Sequence, residues 1–187
     1  TKEILAERGM AVAEDIFYRL MKEQKERARA ARKNAGADAW AGEEDILEDL
    51  PETAFVGYQT LETTAKVLAI VKNGERVSSA EGDSVIVILN QTPFYAEGGG
   101  QVGDTGILKN SGALVNVTDT TKNQSKLFLH HAFVAKGELI VDETVTAIVH
   151  SMLRRDIMCN HTAAHLLQAA LRNVLGDHVE QAGQMVN

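Results

Sequence analysis

Two histidines four residues apart are the clearest sign of chemistry in this sequence. His161 and His165 fall in a stretch with helical periodicity, so their side chains should project from one helix face, with Cβ atoms about 6 Å apart. Two neutral imidazoles at this spacing are a recurrent way to bind zinc. Thr162 stands where a zinc peptidase needs its glutamate base, which excludes that class. Judged on spacing alone, an ordinary pair of helix histidines is an equally good interpretation.

A zinc site usually needs at least three protein ligands, and the sequence offers no obvious third. Cys159 lies two residues before His161, and two helical steps turn its side chain about 200° away. We expect this cysteine to be a small buried or boundary residue. His178 could reach back from beyond the helix, although nothing in the spacing requires it. We therefore predict half a zinc site, whose remaining ligands lie beyond Asn187.

A glycine-rich segment, Gly98 to Gly103, spells the Gly-x-Gly-x-x-Gly pattern of dinucleotide-binding proteins. That pattern requires a helix that begins at the glycines within a strand–helix–strand unit. A strand-like run, Ile107 to Lys109, follows here instead, so the dinucleotide interpretation is rejected. A glycine loop between strands provides either a tight turn or room for a ligand to approach closely. Composition alone favours the tight turn, and the polar neighbours Thr92, Glu97 and Gln101 add support for the ligand-binding interpretation.

Charged residues are unevenly distributed along the chain. The formal net charge of −7 argues weakly against nucleic-acid binding. Between Lys22 and Lys33, however, there are six basic residues and only two acidic ones. They lie on a predicted helix whose apolar face does not continue beyond Met21. The pattern fits either a solvated helix or a surface that binds a polyanion. In the second case the nucleic-acid contacts would be Lys25, Arg27, Arg29 and Arg32.

The hydrophobic period divides the chain into three parts and predicts an α+β fold. Residues 1–50 are helical and end in a linker; residues 51–150 alternate short β-branched runs with turn signals, which is typical of a small antiparallel barrel; residues 151–187 return to helical period. Asn73-Gly74 predicts a hairpin over Lys66 to Val77. Other turns are expected at Glu81-Gly82-Asp83, Asn110-Ser111-Gly112 and Lys136-Gly137-Glu138.

Two helices are expected after residue 150. The pattern predicts a short helix over Ser151 to Met158, then a second helix with Asn160 as its N-cap and Gly176 as its end. The second helix should bury an apolar stripe made of Leu166, Leu167, Ala170, Leu171, Val174 and Leu175.

Composition points to a soluble cytoplasmic protein. One cysteine allows no internal disulfide, which indicates a reducing compartment. No apolar run approaches the roughly 20 residues of a membrane span, and the first residues lack the layout of a signal peptide. We expect no membrane association and no obligate protein partner. The unfinished apolar segment before Asn187 suggests a piece of a longer protein.

Two long segments resemble the alanyl-tRNA synthetase family. TPFYAEGGGQVGDTG (Thr92 to Gly106) resembles the family's glycine-rich editing loop, with Gly98 in place of the usual serine, and NHTAAHLL (from Asn160) resembles its zinc-binding NHTATHLL. FVGYQTLETTAKVLAIV (Phe55 to Val71) is similar to the first barrel strands. TKEILAERGM and the basic helix resemble the end of the tRNA-contacting helical region. The similarity covers nearly the whole chain and is weakest over Asn34 to Pro51.

The resemblance implies an internal fragment of an enzyme that joins alanine to tRNA(Ala), using ATP and Mg²⁺ in an aminoacylation domain that is absent here. Residues 1–50 would end its tRNA-recognition region, residues 51–150 would form the barrel of its editing domain, and residues 151–187 would begin the zinc-binding core. That domain hydrolyses tRNA(Ala) wrongly charged with serine or glycine. The resemblance makes His161 and His165 ligands of Zn²⁺, with the other two ligands in a later C-x-x-x-H motif. It assigns the editing pocket and glycine loop to Gln181, Gly99, Gly100 and Gln101.

Two departures from the family pattern bear on these expectations. Ala164 replaces the usual threonine between the histidines, whose hydroxyl the family is thought to use near the amino-acid moiety, so serine discrimination by this chain stays open. Gln184 replaces a usual serine. Two other functions stay open: a free-standing alanyl-tRNA editing hydrolase, which is expected to lack residues 1–50, and a non-catalytic tRNA-binding module. We expect the isolated fragment to be inactive as a hydrolase because half of its metal site is missing.

Overall fold

The computed structural model describes most of the chain after residue 44. The described residues are Arg19, 45–176, 178–180 and 183–187. The chain divides into two compact units, Thr1–Gly42 and Glu43–Asn187, and all elements reported below belong to the second. The predicted N-terminal helices, the four candidate nucleic-acid contacts and Gln181 lie outside the described residues, so they stay predictions. The predicted divisions at residues 50 and 150 also stay predictions.

Strands make up most of the described unit. A short 3-10 helix, Asp45–Leu47, precedes them, and one α-helix, α1 (Ser151–Leu175), follows. In chain order the strands are β1 (Ala54–Phe55), β2 (Glu62–Lys72), β3 (Glu75–Val77), β4 (Ser79–Glu81), β5 (Ser84–Leu89), β6 (Gln91–Thr92), β7 (Gly106–Lys109), β8 (Ala113–Lys122), β9 (Phe128–Ile140) and β10 (Thr144–Val149).

Six of these strands close into an antiparallel barrel. The order of hydrogen bonding is β2, β5, β9, β8, β7 and β10, and β10 pairs back with β2. Outside the ring, β3 extends β2, β4 pairs with β9, and β1 forms a small parallel pair with β6. The predicted small antiparallel barrel is confirmed. The α+β expectation is met only in part, because the described unit is mostly β with a single α-helix.

Alternating apolar side chains fill the barrel. Along the start of β8, Ala113, Val115 and Val117 are buried while the residues between them are not, as the two-residue period of a strand requires. Residues 85–89 of β5 are buried without alternation, because their outer side is also covered. A second apolar cluster there packs the outer faces of β2 and β5 under Leu47 and Leu127.

Most of the predicted turns are present, and one is not. Asn73 and Gly74 join β2 to β3 with φ values of 51° and 82°, the positive pair that a tight hairpin turn of this handedness needs. The sequence predicted a turn at Gly137, but the structure has none there. It lies within β9 opposite Ala113, at φ 70°, next to a shift in the β8–β9 register. A Cβ at Gly137 would collide with the carbonyl oxygen of Gly112, so glycine permits a bulge in a continuing strand.

The expectation of two helices after residue 150 is wrong. Ser151–Leu175 is one 25-residue helix, capped at its start by His150, whose Nδ1 accepts a hydrogen bond from the amide of Leu153 at 3.2 Å. No glycine or proline interrupts this stretch, so nothing local stops the helix at Asn160. The predicted end at Gly176 is confirmed, with φ 110° there.

The apolar stripe in the second half of α1 is not buried, contrary to expectation. Leu166 is 67% exposed and Val174 is 79% exposed, whereas Arg154 and Ile157 near the helix start are the buried residues of α1. A helix of 25 residues is about 37 Å long, more than one side of a small barrel can cover. In the described part of the chain, the barrel therefore covers only the first turns.

Candidate functional site

The glycine-rich segment forms a tight turn between β6 and β7. Gly98 and Gln101 exchange both backbone hydrogen bonds, at 3.1 and 3.0 Å. Between them, Gly99 and Gly100 have φ values of 61° and 84°, which side chains with a Cβ rarely adopt. The segment lies between strands, which confirms that it is not a dinucleotide fingerprint.

The end of the chain packs directly on this turn. The amide of Val186 donates to Gly100 O at 2.8 Å, and the amide of Val102 donates to Val186 O at 3.0 Å. The Gln184 side chain donates to Gly99 O at 3.2 Å. A Cβ at Gly100 would collide with the Gln184 carbonyl oxygen, so glycine is needed for the close approach as well as for its φ.

The turn also contacts the histidine helix. Gln101 is only 6% exposed, and its Oε1 lies 2.7 Å from His161 Nδ1. The His161 and His165 rings are 4.9 Å apart at their centroids and nearly parallel, at 28°. His161 is half-buried and His165 is exposed. The structure thus brings together five predicted site residues from two distant segments: Gly99, Gly100, Gln101, His161 and His165.

A buried ion pair, which sequence reasoning missed, joins α1 to the same loop. The Nε of Arg154 donates to both carboxylate oxygens of Asp104, at 2.8 and 2.9 Å, and the two side chains are 7% and 2% exposed. Arg154 also donates to the carbonyl of Pro93 at 3.0 Å, while Asp104 accepts from the amide of Tyr95 at 2.7 Å. The available sequence signal was an arginine three residues before Ile157, on the apolar side of a helix.

The start of the loop is anchored inside the barrel by His130. Its Nδ1 lies 2.8 Å from Val87 O and its Nε2 lies 2.8 Å from Thr92 Oγ1, so a neutral ring donates to the carbonyl and accepts from the hydroxyl. The Thr92 hydroxyl also accepts from the Phe94 amide at 3.1 Å. Burial, more than the neighbouring His131, lowers the pKa of His130 to about 4. Thr92 therefore anchors the loop and is not free to meet a ligand.

Two imidazoles are too few for a complete zinc site, although their donor type suits zinc. Within the described residues, no three His, Cys, Asp or Glu side chains are grouped closely enough to hold a metal ion. Cys159 is exposed on α1, not buried or at a helix boundary as expected, and His178 is also exposed. His161 and His165 can supply two nitrogen ligands, and the contact with Gln101 leaves Nε2 as the available nitrogen of His161.

A groove of about 800 Å³ lies between the first half of α1 and residues 57–61, and Gln101 is part of its lining. Its other lining side chains include Tyr58, Tyr95 and Met158. This volume falls within the range of small-molecule sites. A mainly apolar groove beside the buried amide of Gln101 could hold a small ligand close to the histidines.

Residues 1–153 match the family described as tRNA synthetases class II (A). The chain belongs to this family. Over its full length it is 49% identical to the alanine--tRNA ligase of Caldicellulosiruptor saccharolyticus, 47% to that of a Thermoanaerobacter species and 43% to that of Bacillus pumilus. In each case the chain spans 21% of the relative's length. The resemblance to alanyl-tRNA synthetases is thereby confirmed at the level of a region of that enzyme.

The family match and the site overlap only in part. The match to the class II (A) synthetase family ends in the first turn of α1, before His161, whereas the similarity to alanine--tRNA ligases covers the whole chain. The family match therefore includes the glycine loop but not the histidine pair. Within the described residues, no helix is both long enough and apolar enough to cross a membrane.

Proposed function

We propose that this synthetase region is part of an editing domain that hydrolyses tRNA(Ala) charged in error with serine or glycine. The observation that carries the proposal is the contact between Gln101 and His161, at 2.7 Å. It joins the glycine loop to the histidine pair across 60 residues of sequence, so the two segments that resemble the editing loop and the zinc motif form one site.

The chemistry of a mischarged tRNA suits such a site. A pocket built for alanine cannot strongly reject glycine, which is smaller, or serine, which adds one hydroxyl, so a second, hydrolytic site is needed. The aminoacyl ester is already activated, and modest assistance is sufficient. Zinc, when bound, would polarise the substrate or lower the pKa of a water. His161 and His165 would hold it, and the loop around Gly99 and Gly100 would admit the substrate closely.

The remaining parts of the proposal concern the longer protein. Its aminoacylation domain, with ATP and Mg²⁺, would join alanine to tRNA(Ala), and its further zinc ligands would follow the described helix. The partner would be tRNA(Ala). Phosphate contacts would come from the basic segment, through Lys25, Arg27, Arg29 and Arg32.

The test places this chain in a complete enzyme. The 187 aligned residues of the Caldicellulosiruptor saccharolyticus alanine--tRNA ligase are replaced by this sequence, and deacylation of Ser-tRNA(Ala) and Gly-tRNA(Ala) is measured beside alanylation. Replacing His161 and His165 together with alanine should slow deacylation at least about 100-fold, as for loss of an essential polar group in a preorganised site. Alanylation should stay within about twofold, because the joining step takes place in another domain.

His178→Ala is the matched control, since His178 is exposed and lies close to the end of the same helix. It should leave deacylation unchanged. Normal deacylation by the double histidine variant would overturn the proposal, and an equal loss from His178→Ala would make that histidine a ligand.

A non-catalytic tRNA-binding role is the second candidate for the isolated chain. It is favoured by the lack of a third metal ligand near the histidine pair among the described residues. The isolated chain should then bind tRNA without deacylating it. Full deacylation by the isolated chain would instead indicate a free-standing editing hydrolase.

A further inference from the structure

We propose that Gln101 is a positioning residue, which fixes both the tautomer and the orientation of the His161 ring. Its amide oxygen accepts a hydrogen bond from Nδ1–H, so that Nε2 carries the lone pair and is the ligand atom. This inference deepens the proposed function, and it rests on that function only for the identity of the ion bound at Nε2.

The tautomer follows from the contact. A carbonyl oxygen can only accept, so the 2.7 Å contact between Gln101 Oε1 and His161 Nδ1 requires the proton on Nδ1. In a neutral imidazole the other nitrogen is then unprotonated. A histidine on an open helix surface would exchange between both tautomers, and a metal ion would have to select one of them.

Gln101 is held firmly enough to impose this choice. Its backbone exchanges both hydrogen bonds with Gly98, and Val186 pairs with the residues on either side of it, Gly100 and Val102. At 6% exposure, its amide has little room for other rotamers. Three residues later, Asp104 ties the loop to α1 through Arg154, so the acceptor and the histidine belong to one packed unit.

The two histidines therefore differ in burial and in how firmly their rings are held. His161 is half-buried and oriented by Gln101, whereas His165, one helical turn later, is exposed and stacks against it at 4.9 Å. The geometry points to a prearranged first ligand and a second ligand that adjusts to the ion. Such outer partners of metal-binding histidines typically contribute about 10- to 100-fold to metal affinity.

The first test reads the tautomer without metal or tRNA. Long-range ¹H–¹⁵N correlation spectra of the 187-residue chain are recorded in mildly alkaline buffer without added metal. Nδ1 of His161 should show the shift of a protonated nitrogen and Nε2 that of an unprotonated one. Gln101→Ala should shift both resonances towards averaged values, and Gln101→Glu, which keeps an acceptor, should preserve the pattern.

The second test measures Zn²⁺ affinity in the same chain from the His161 resonances. Gln101→Ala should weaken binding about 10-fold or more, and Gln101→Glu should restore it. Gln124→Ala is the matched control, because Gln124 is an exposed glutamine between β8 and β9, and the change should leave both the tautomer and the affinity unchanged.

The outcomes separate this inference from the proposed function. A wild-type His161 with its proton on Nε2, or a Gln101→Ala variant with unchanged spectra and affinity, overturns the positioning role even if deacylation persists. If Gln101→Ala fails to fold, the wild-type spectrum and Gln101→Glu still decide the matter. If the predicted tautomer is found but the alanine--tRNA ligase that carries this sequence does not deacylate mischarged tRNA(Ala), only the proposed editing function is overturned.

Discussion

His130 in β9 shows how its surroundings can decide the charge of a single side chain. The ring is fully buried, with both nitrogens hydrogen-bonded to Val87 and Thr92. Burial is the main reason why its pKa falls from 6.5 to about 4, and the hydrogen bond to Val87 O opposes the shift only partly. The next residue, His131, is half-buried, and burial lowers its pKa as well. Because both of its ring nitrogens are hydrogen-bonded inside the barrel, His130 is not a candidate metal ligand.

The shifted pKa of His130 predicts a loss of stability in mild acid. Between pH 6.5 and about 4 the unfolded chain binds a proton at this position that the folded chain does not, so the free energy of unfolding falls as pH falls. The contribution lost across this window is about 3 kcal/mol. Urea unfolding at a series of pH values measures it.

A matched pair of variants isolates this contribution. His130→Gln removes the titrating group, so its free energy of unfolding should depend less on pH between about 4 and 6.5. His131→Gln should flatten the curve less, because His131 is only half-buried. If wild type and His130→Gln have parallel curves, His130 does not titrate as its burial implies.

At the scale of the elements, the important contact is the one between α1 and the loop before β7. Arg154 and Asp104 make it, and both are buried with several hydrogen bonds each. A buried pair is costly to desolvate, so its net contribution to stability is modest, but removal of one partner leaves an uncompensated charge. The ion pair between Arg154 and Asp104 holds Gln101 and His161 at hydrogen-bonding distance, because it fixes the segments on which they lie.

The buried ion pair predicts strongly non-additive substitutions. Arg154→Leu should destabilise the chain by about 3–5 kcal/mol, because Asp104 stays buried without its counter-ion. Arg154→Leu combined with Asp104→Leu should destabilise it by less than the sum of the two single changes. Urea unfolding of the four proteins completes the double-mutant cycle.

The exposed pair Lys126–Glu52 serves as the control, since both side chains are 63% exposed. Lys126→Ala should change the free energy of unfolding by less than about 1 kcal/mol. Additive effects at Arg154 and Asp104 would mean that the two charges are screened from each other despite their contact.

At the scale of the whole molecule, the described unit is a closed barrel with one helix that extends past it. The barrel has few free edges because β10 returns to β2. The second half of α1 has no such support within the described residues, and its leucines are exposed. A helical segment without tertiary packing is only marginally stable in water.

Hydrogen exchange should therefore divide α1 into two parts. In the 187-residue chain, amides near Ile157 should exchange slowly, and those of residues 168–175 should exchange at least about 100-fold faster, as in locally opening segments. Uniform protection along α1 would contradict this division.

Ile157→Ala should destabilise the chain by about 2–4 kcal/mol, whereas Leu167→Ala, at a 60% exposed position, should change stability by less than about 0.5 kcal/mol.

The sequence by itself determined the features that depend on neighbouring residues. The small antiparallel barrel, the Asn73-Gly74 turn and the helix around His161 and His165 were all predicted, because they follow from local backbone preferences and side-chain spacing. The place of Gly100 in a tight turn belongs to the same class, since only glycine readily adopts its positive φ.

Only the tertiary structure decided the features that depend on distant partners. Gln101 meets His161 across 60 residues and Asp104 meets Arg154 across 50, and no local pattern encodes either contact. Gly137 reads as a turn in isolation, yet its pairing with β8 carries β9 through it. Apolar spacing gives α1 a stripe to bury, but burial requires an opposing surface, and the barrel supplies one only for the first turns of the helix.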